Sequence, residues 1–157
     1  MFFTACFFFC AEVSYACTCV PPRPEFVKDA GKYVNYERDK AGNVFSGKVL
    51  RIDVVKNSKG KPSGVIRVRF KVYKSWKGAE TNSITVSTTN ICCICGYPFK
   101  VGEEYLVYAS ESLRTSVCTR TKNLEDAAED LEFLGEANVK SEAKKTVTRS
   151  QQRKPKS

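Results

Sequence analysis

The distribution of apolar positions divides the chain into a run of short strands between two helices. From Phe26 the apolar residues recur as Ala30, Tyr33 and Val34, one stripe of a helix over residues 25–41. The next segment, 43–55, reads as a strand with Phe45, Gly47 and Val49 in one phase and Leu50, Ile52 and Val54 in the other. A change of phase inside a strand predicts a bulge or sharp coil, and Gly47 is a position where the chain can bend. Asn57, Ser58, Gly60, Pro62 and Gly64 mark a hairpin tip over 56–64. Ile66, Val68, Phe70 and Val72 then alternate with Arg67, Arg69 and Lys71, the pattern of a half-buried strand ending around Trp76-Lys77-Gly78.

Three more strands are predicted, over 83–88 around Ile84 and Val86, over 104–109 around Tyr105, Val107 and Ala109, and over 113–119 with Cys118. After them Leu124, Ala127, Ala128, Leu131 and Leu134 form one helical face. Asn123 stands at its start as N-cap, acids fill the first turn, and Gly135 stands at its end. Glu125, Asp126, Glu129 and Asp130 fall on the polar side of that helix, where a solvated surface is expected. Five strands between two helices fit a small closed barrel better than a sandwich. The expected fold is all-β with flanking helices, a five-stranded Greek-key OB-fold barrel.

The ends of the chain differ in composition from this middle. Residues 1–16 hold Phe2, Phe3, Phe7, Phe8 and Phe9 and close with Ser14-Tyr15-Ala16. This reads as a signal peptide cleaved after Ala16, too short to span a membrane. Beyond Gly135 apolar periodicity stops, and from Val139 onward seven basic residues stand against one acid, Glu142. That basic tail, 136–157, is expected to be disordered and suited to anionic matrix polymers or surfaces. It carries much of the formal charge of +9. The folded unit is then 17–135.

Cleavage removes Cys6 and Cys10 from the eight cysteines and leaves Cys17, Cys19, Cys92, Cys93, Cys95 and Cys118. An even number in a small secreted chain implies a disulfide framework, without fixing its connectivity. The chain has no histidine. Ser-His-Asp and Cys-His catalysis are therefore excluded, as are zinc sites with histidine ligands, and the chain is not expected to be an enzyme. Cys17-x-Cys19 and Cys92-Cys93-x-Cys95 do not have the spacing of structural zinc pairs, so no resident cofactor is expected. Nucleic acid is not an expected partner of an exported chain, and the alternating Lys and Arg of the second long strand read as a solvated face.

The run Cys17-Thr18-Cys19-Val20-Pro21-Pro22 carries a more specific possibility. Cleavage after Ala16 frees the Cys17 α-amine. Its nitrogen and the Cys17 carbonyl oxygen can then close a five-membered ring on a metal held by another protein. Catalytic zinc in proteases keeps one coordination position open. Bridging both cysteines to the barrel would hold the tripeptide rigid, so that docking costs little chain entropy. In extended backbone Thr18 points away from both cysteines, and Pro21 and Pro22 keep the following residues extended. At a terminus the same two cysteines also fit as ordinary staples. In a bacterial chain Cys17 could instead be a lipoprotein cysteine, a role to which Ser14 and Tyr15 are poorly suited.

The sequence resembles the tissue inhibitors of metalloproteinases, within the wider netrin-like group of OB-fold modules. The resemblance is carried by Cys17-Thr18-Cys19-Val20-Pro21-Pro22, Val44-Phe45-Ser46-Gly47-Lys48-Val49, Trp76-Lys77-Gly78, Cys95-Gly96-Tyr97, Glu103-Glu104-Tyr105-Leu106-Val107-Tyr108-Ala109 and Ser116-Val117-Cys118. It implies disulfides Cys17–Cys95 and Cys19–Cys118, each stabilising by roughly 3 to 5 kcal/mol on a loop-entropy basis. It also implies an inhibitory wedge of Cys17, Thr18, Cys19, Val20 and Pro21. In that wedge the Cys17 backbone sits on the partner's zinc, Thr18 enters the specificity pocket, and the loop Ile91, Cys92, Cys93 and Ile94 flanks them.

The chain departs from that family after Pro22. Arg23-Pro24-Glu25 stand where the animal inhibitors continue with His-Pro-Gln-x-Ala-Phe-Cys, and their third bridge and cysteine-rich second subdomain have no counterpart. The expected molecule is a single-domain version. A vicinal disulfide, a free thiol pair and a bond to another chain all remain open for Cys92 and Cys93. A netrin-like module binding a different extracellular partner is the alternative function.

Overall fold

A computed structural model of the chain describes residues 17–78, 80–91 and 95–135. The expected signal peptide, the basic tail, Cys92, Cys93 and Ile94 lie outside the described residues. The fold is an antiparallel five-stranded sheet in the order β3-β2-β1-β4-β5, with a few short helices. Its strands are β1 (Asn43–Lys56), β2 (Pro62–Lys77), β3 (Ser83–Thr89), β4 (Glu104–Ala109) and β5 (Lys122–Asn123). Among the described residues no helix is long and apolar enough to cross a membrane.

The central strand β1 pairs with β2 along its whole length and with β4 along its first half, Asn43 to Lys48. Its register against β2 shifts between Val49 and Arg51, where the hydrophobic phase changes. Leu50 is displaced to the surface there, 49% exposed, while Val49 and Ile52 keep to the core side. A second shift falls between Ser46 and Gly47. A Cβ at Gly47 would lie 2.5 Å from the Lys71 carbonyl oxygen, so the coil at this point admits only glycine without displacing the neighbouring backbone.

Side-chain alternation sends the two faces of this sheet into two apolar clusters. Phe45, Val49, Val68, Phe70, Val86, Phe99, Tyr105 and Val107 make the larger core, in which Phe70 meets Phe45, Phe99 and Tyr105 edge to face. Val44, Leu106 and Tyr108 on the opposite face meet Val34, Ala127 and Leu134 from the helices. Strand β4 is thus buried on both sides, with only Glu104 exposed.

Three expectations are corrected. The helix expected over 25–41 is two helices, α1 (Pro24–Val27) and α2 (Ala30–Lys40). Asp29 interrupts them because its carboxylate accepts the Lys32 backbone N–H at 2.9 Å and caps α2. Phe26 still stacks across the break on Tyr33 and Tyr36.

Residues 113–119 do not form a strand; the fifth strand is the short β5 at Lys122–Asn123. Hydroxyls take up the backbone groups that a ladder would need. Thr115 donates to the Tyr108 carbonyl at 3.0 Å, Ser116 accepts the Cys118 N–H, Thr119 donates to the Ser116 carbonyl, and Thr121 accepts the Tyr108 N–H at 3.0 Å. One parallel bridge, Ser87 to Arg114, joins this segment to β3.

The C-terminal helix begins as a 3-10 turn at Leu124–Asp126 and becomes α3 at Ala128–Leu134, ending at Gly135 with a positive φ. Asn123 makes no capping hydrogen bond through its side chain, being paired in β5 with Tyr105. Ala128 is exposed, and Asp130 is fully buried rather than solvated.

Candidate functional site

Two loops hold the segment that begins at Cys17. Cys17 is bonded to Cys95 and Cys19 to Cys118, with Cα separations of 5.3 and 5.2 Å. These are the two pairs that the family resemblance implies. The bridges lie side by side, the Cys17 and Cys118 sulfurs being 4.0 Å apart. The sulfurs of Cys17, Cys19 and Cys118 are close enough together to surround a metal ion. As disulfides they lack the thiolate character a metal requires.

Each anchor is fixed in turn. A Cβ at Gly96 would fall on the carbonyl of Thr89, so only glycine lets the Cys95-Gly96-Tyr97 segment press against the end of β3. The Tyr97 N–H donates to the Thr88 hydroxyl at 2.9 Å, and its ring packs on Phe99 and Tyr105. Burial in this cluster raises the Tyr97 phenol. Burial, with the Glu103 carboxylate at its hydroxyl, pushes Tyr105 up to about 12. The second anchor loop is tied to the first by the Val117 N–H, which donates to the Cys95 carbonyl at 3.0 Å.

Behind Cys118 stands an ion cluster that the sequence pattern did not disclose. Asp130 accepts hydrogen bonds from Tyr108 Oη and Arg120 Nε at 2.8 Å on one oxygen. Its other oxygen accepts from Arg120 Nη2 at 2.8 Å and Lys122 Nζ at 2.6 Å. Burial pushes the Asp130 carboxyl up, but the hydrogen bonds from Arg120, Lys122 and Tyr108 outweigh it and hold the group below its ordinary value. Burial raises Tyr108, as does the neighbouring carboxylate. The Arg120 guanidinium also lies over the Tyr33 ring, 4.6 Å from its centroid, which ties the Cys118 loop to α2. No local spacing betrays this cluster, since its members come from β4, the 115–122 segment and α3.

What this scaffold presents outward is short. Thr18, Val20 and Pro21 are exposed, Val20 to 93%. Val117, 40% exposed, adds an apolar side chain on the Cys118 loop; in the sequence it stands out only within Ser116-Val117-Cys118 and not as a site residue. Ile91, 47% exposed, reaches the Gly64 position near the start of β2. Cys17, Thr18 and Cys19 are therefore brought together with Cys95 and Cys118. The rest of the 91–94 loop lies outside the described residues.

No family model matches this chain, and a search of curated proteins finds no match. The geometry alone describes a tripeptide, Cys17-Thr18-Cys19, fastened at both half-buried cysteines to loops that are themselves fixed to the core, with Thr18 exposed between them.

Proposed function

We propose that the chain is a secreted, single-domain inhibitor of zinc metalloproteases of the netrin-like, OB-fold type, and that Cys17 becomes its first residue by cleavage after Ala16. The observation that carries this reading is the double fastening of Cys17 and Cys19 around an exposed Thr18. The disulfides are compatible with an oxidising, extracellular setting. The parallel bridge from Ser87 to Arg114, which links the outer strand β3 to the segment after β4, supports closure of the sheet into a barrel.

In this reading the Cys17 amine and carbonyl oxygen fill the open position of a protease zinc. Thr18 enters the adjoining pocket, and Val20 and Pro21 lie along the cleft. The loop Ile91, Cys92, Cys93 and Ile94 flanks the wedge, and Val117 is added to its apolar margin. Rigid bridging is what makes so small a contact effective, because few rotors are frozen on docking. The amine must release its proton to bind the metal, so inhibition is expected to weaken on acidification.

The test is a panel of zinc metalloproteases assayed against secreted protein whose amino terminus has been sequenced as Cys17. Inhibition of at least one enzyme, removed by reducing the disulfides, is expected. No inhibition at micromolar concentration would turn the reading toward a netrin-like module for another extracellular partner.

A further inference from the structure

The outer face of β1, β2 and β3 carries a grid of cations that the inhibitor reading does not use. Directly paired residues of antiparallel strands share a face. Lys48 thus stands beside Lys71 and Ser83, Arg51 beside Arg69 and Thr85, and Asp53 beside Arg67 and Ser87. The intervening Val49, Val68, Phe70, Ile84 and Val86 point into the core, which turns the grid to solvent. Arg51, Arg67, Arg69, Lys71 and Thr85 are exposed.

The grid is electrostatically unbalanced. Asp53 is held by Arg51 Nε at 2.8 Å, and Glu104, opposite Lys48 on the β4 side, accepts the Tyr73 hydroxyl at 2.8 Å. Five cations stand against these two acids. Among the described residues Lys48, Arg67 and Lys71 make no ion pair. Like charges directly opposite one another across strands, as Lys48 with Lys71 and Arg51 with Arg69, destabilise a sheet. Such a face is relieved by an anionic partner.

We propose that this face binds a sulfated polysaccharide. Arginine forks suit tetrahedral oxyanions, and Arg69 spends only one of its donors, Nε, on the Ser83 hydroxyl at 3.1 Å. Ser83, Thr85 and Ser87 line the same rungs and offer hydroxyls to sugar oxygens. A single strand of nucleic acid would want a row of stacking aromatics. The grid has only Tyr73 at its margin, and that hydroxyl is already engaged by Glu104. An anionic membrane would call for a row of apolar side chains among the cations, and this face offers a single one between its rungs, Leu50 at the β1 bulge. None of its residues belongs to the Cys17 wedge or to the basic tail.

The test uses the full chain, a size-defined heparin oligosaccharide at 0.15 M salt, and two triple variants of equal charge change. One is Arg67→Ser, Arg69→Thr and Lys71→Ser in the grid; the other is Lys144→Ser, Lys145→Ser and Lys154→Ser in the tail. Three exposed ion pairs contribute a few-fold each, so the grid variant is expected to bind roughly tenfold or more weakly. Its melting temperature should be unchanged or raised, because like-charge repulsion is removed. The tail variant should lose less than the grid variant. Should the grid variant fail to fold, the single change Arg67→Ser, well away from the apolar core, is read in its place. The proposal is overturned if the grid variant binds as the parent does, or if the tail variant loses as much. It is also overturned if an oligothymidylate of matched charge binds as tightly and is weakened by the same grid substitutions.

Discussion

Replacing Asp130 by Asn removes the one negative charge at the centre of the Tyr108, Arg120 and Lys122 cluster and keeps its shape. Asp130 is fully buried and receives four hydrogen bonds, three of them from cationic donors. An amide can accept at one end only. Its other end, an NH2 group, would face the donors of Arg120 and Lys122. Breaking a buried pair by removing one partner costs about 3 to 5 kcal/mol. The Arg120 and Lys122 side chains retain 11% and 28% exposure, so water can recover part of their solvation. The lower end, about 3 kcal/mol, is therefore expected.

For a domain of this size such a loss lowers the melting temperature by roughly 10 °C. The pH dependence gives a second, independent reading. The folded-state carboxyl lies below its unfolded value, near 4, so the unfolded chain binds more protons in this range. The stabilisation is complete above about pH 4 to 5 and is lost as pH falls through the folded-state value. Parent and Asp130→Asn proteins should therefore differ most at neutral pH and converge on acidification, as followed by urea melts between pH 2 and 7. A loss below about 1 kcal/mol at pH 7, or a gap that stays constant to pH 2, would refute this account of the cluster.

Further outcomes follow from the anchor loops. Gly96→Ala drives a methyl group against the Thr89 carbonyl and should destabilise by about 1 to 3 kcal/mol, measured by thermal unfolding. The paired change Cys19→Ser with Cys118→Ser opens a bridge spanning 99 residues and should cost about 2 to 5 kcal/mol in urea. Tyr105 should remain unionised until close to pH 12, seen as a delayed step in the ultraviolet titration that Tyr105→Phe removes.

Much of the sheet is legible from periodicity. The alternation through Ile66 to Val72 and the phase change at Leu50 both reappear as structure, because burial on one face enforces the register. The misread segments share a cause. At 113–119 and at Asp29, short polar side chains bond to nearby backbone and displace the regular element that hydropathy predicts. The helical pattern sends Asp130 to solvent because it shows the side of a helix and not what lies against it. Its partners Tyr108 and Arg120 arrive from 22 and 10 residues away. Of the candidate site, the spacing of Cys17 and Cys19 is visible, whereas the anchoring of Cys95 by Gly96 and the nearby Val117 require the fold.

The central claim is that a free α-amine on Cys17, held rigidly by two bridges, is the group that meets a protease zinc. It is tested most directly by adding a single alanine before Cys17, with mass spectrometry establishing that both disulfides are intact. The extended protein should melt at the same temperature as the protein beginning at Cys17 and lose inhibition by two orders of magnitude or more, about 2.7 kcal/mol of binding. Equal inhibition by the two forms would contradict zinc chelation by the amino terminus.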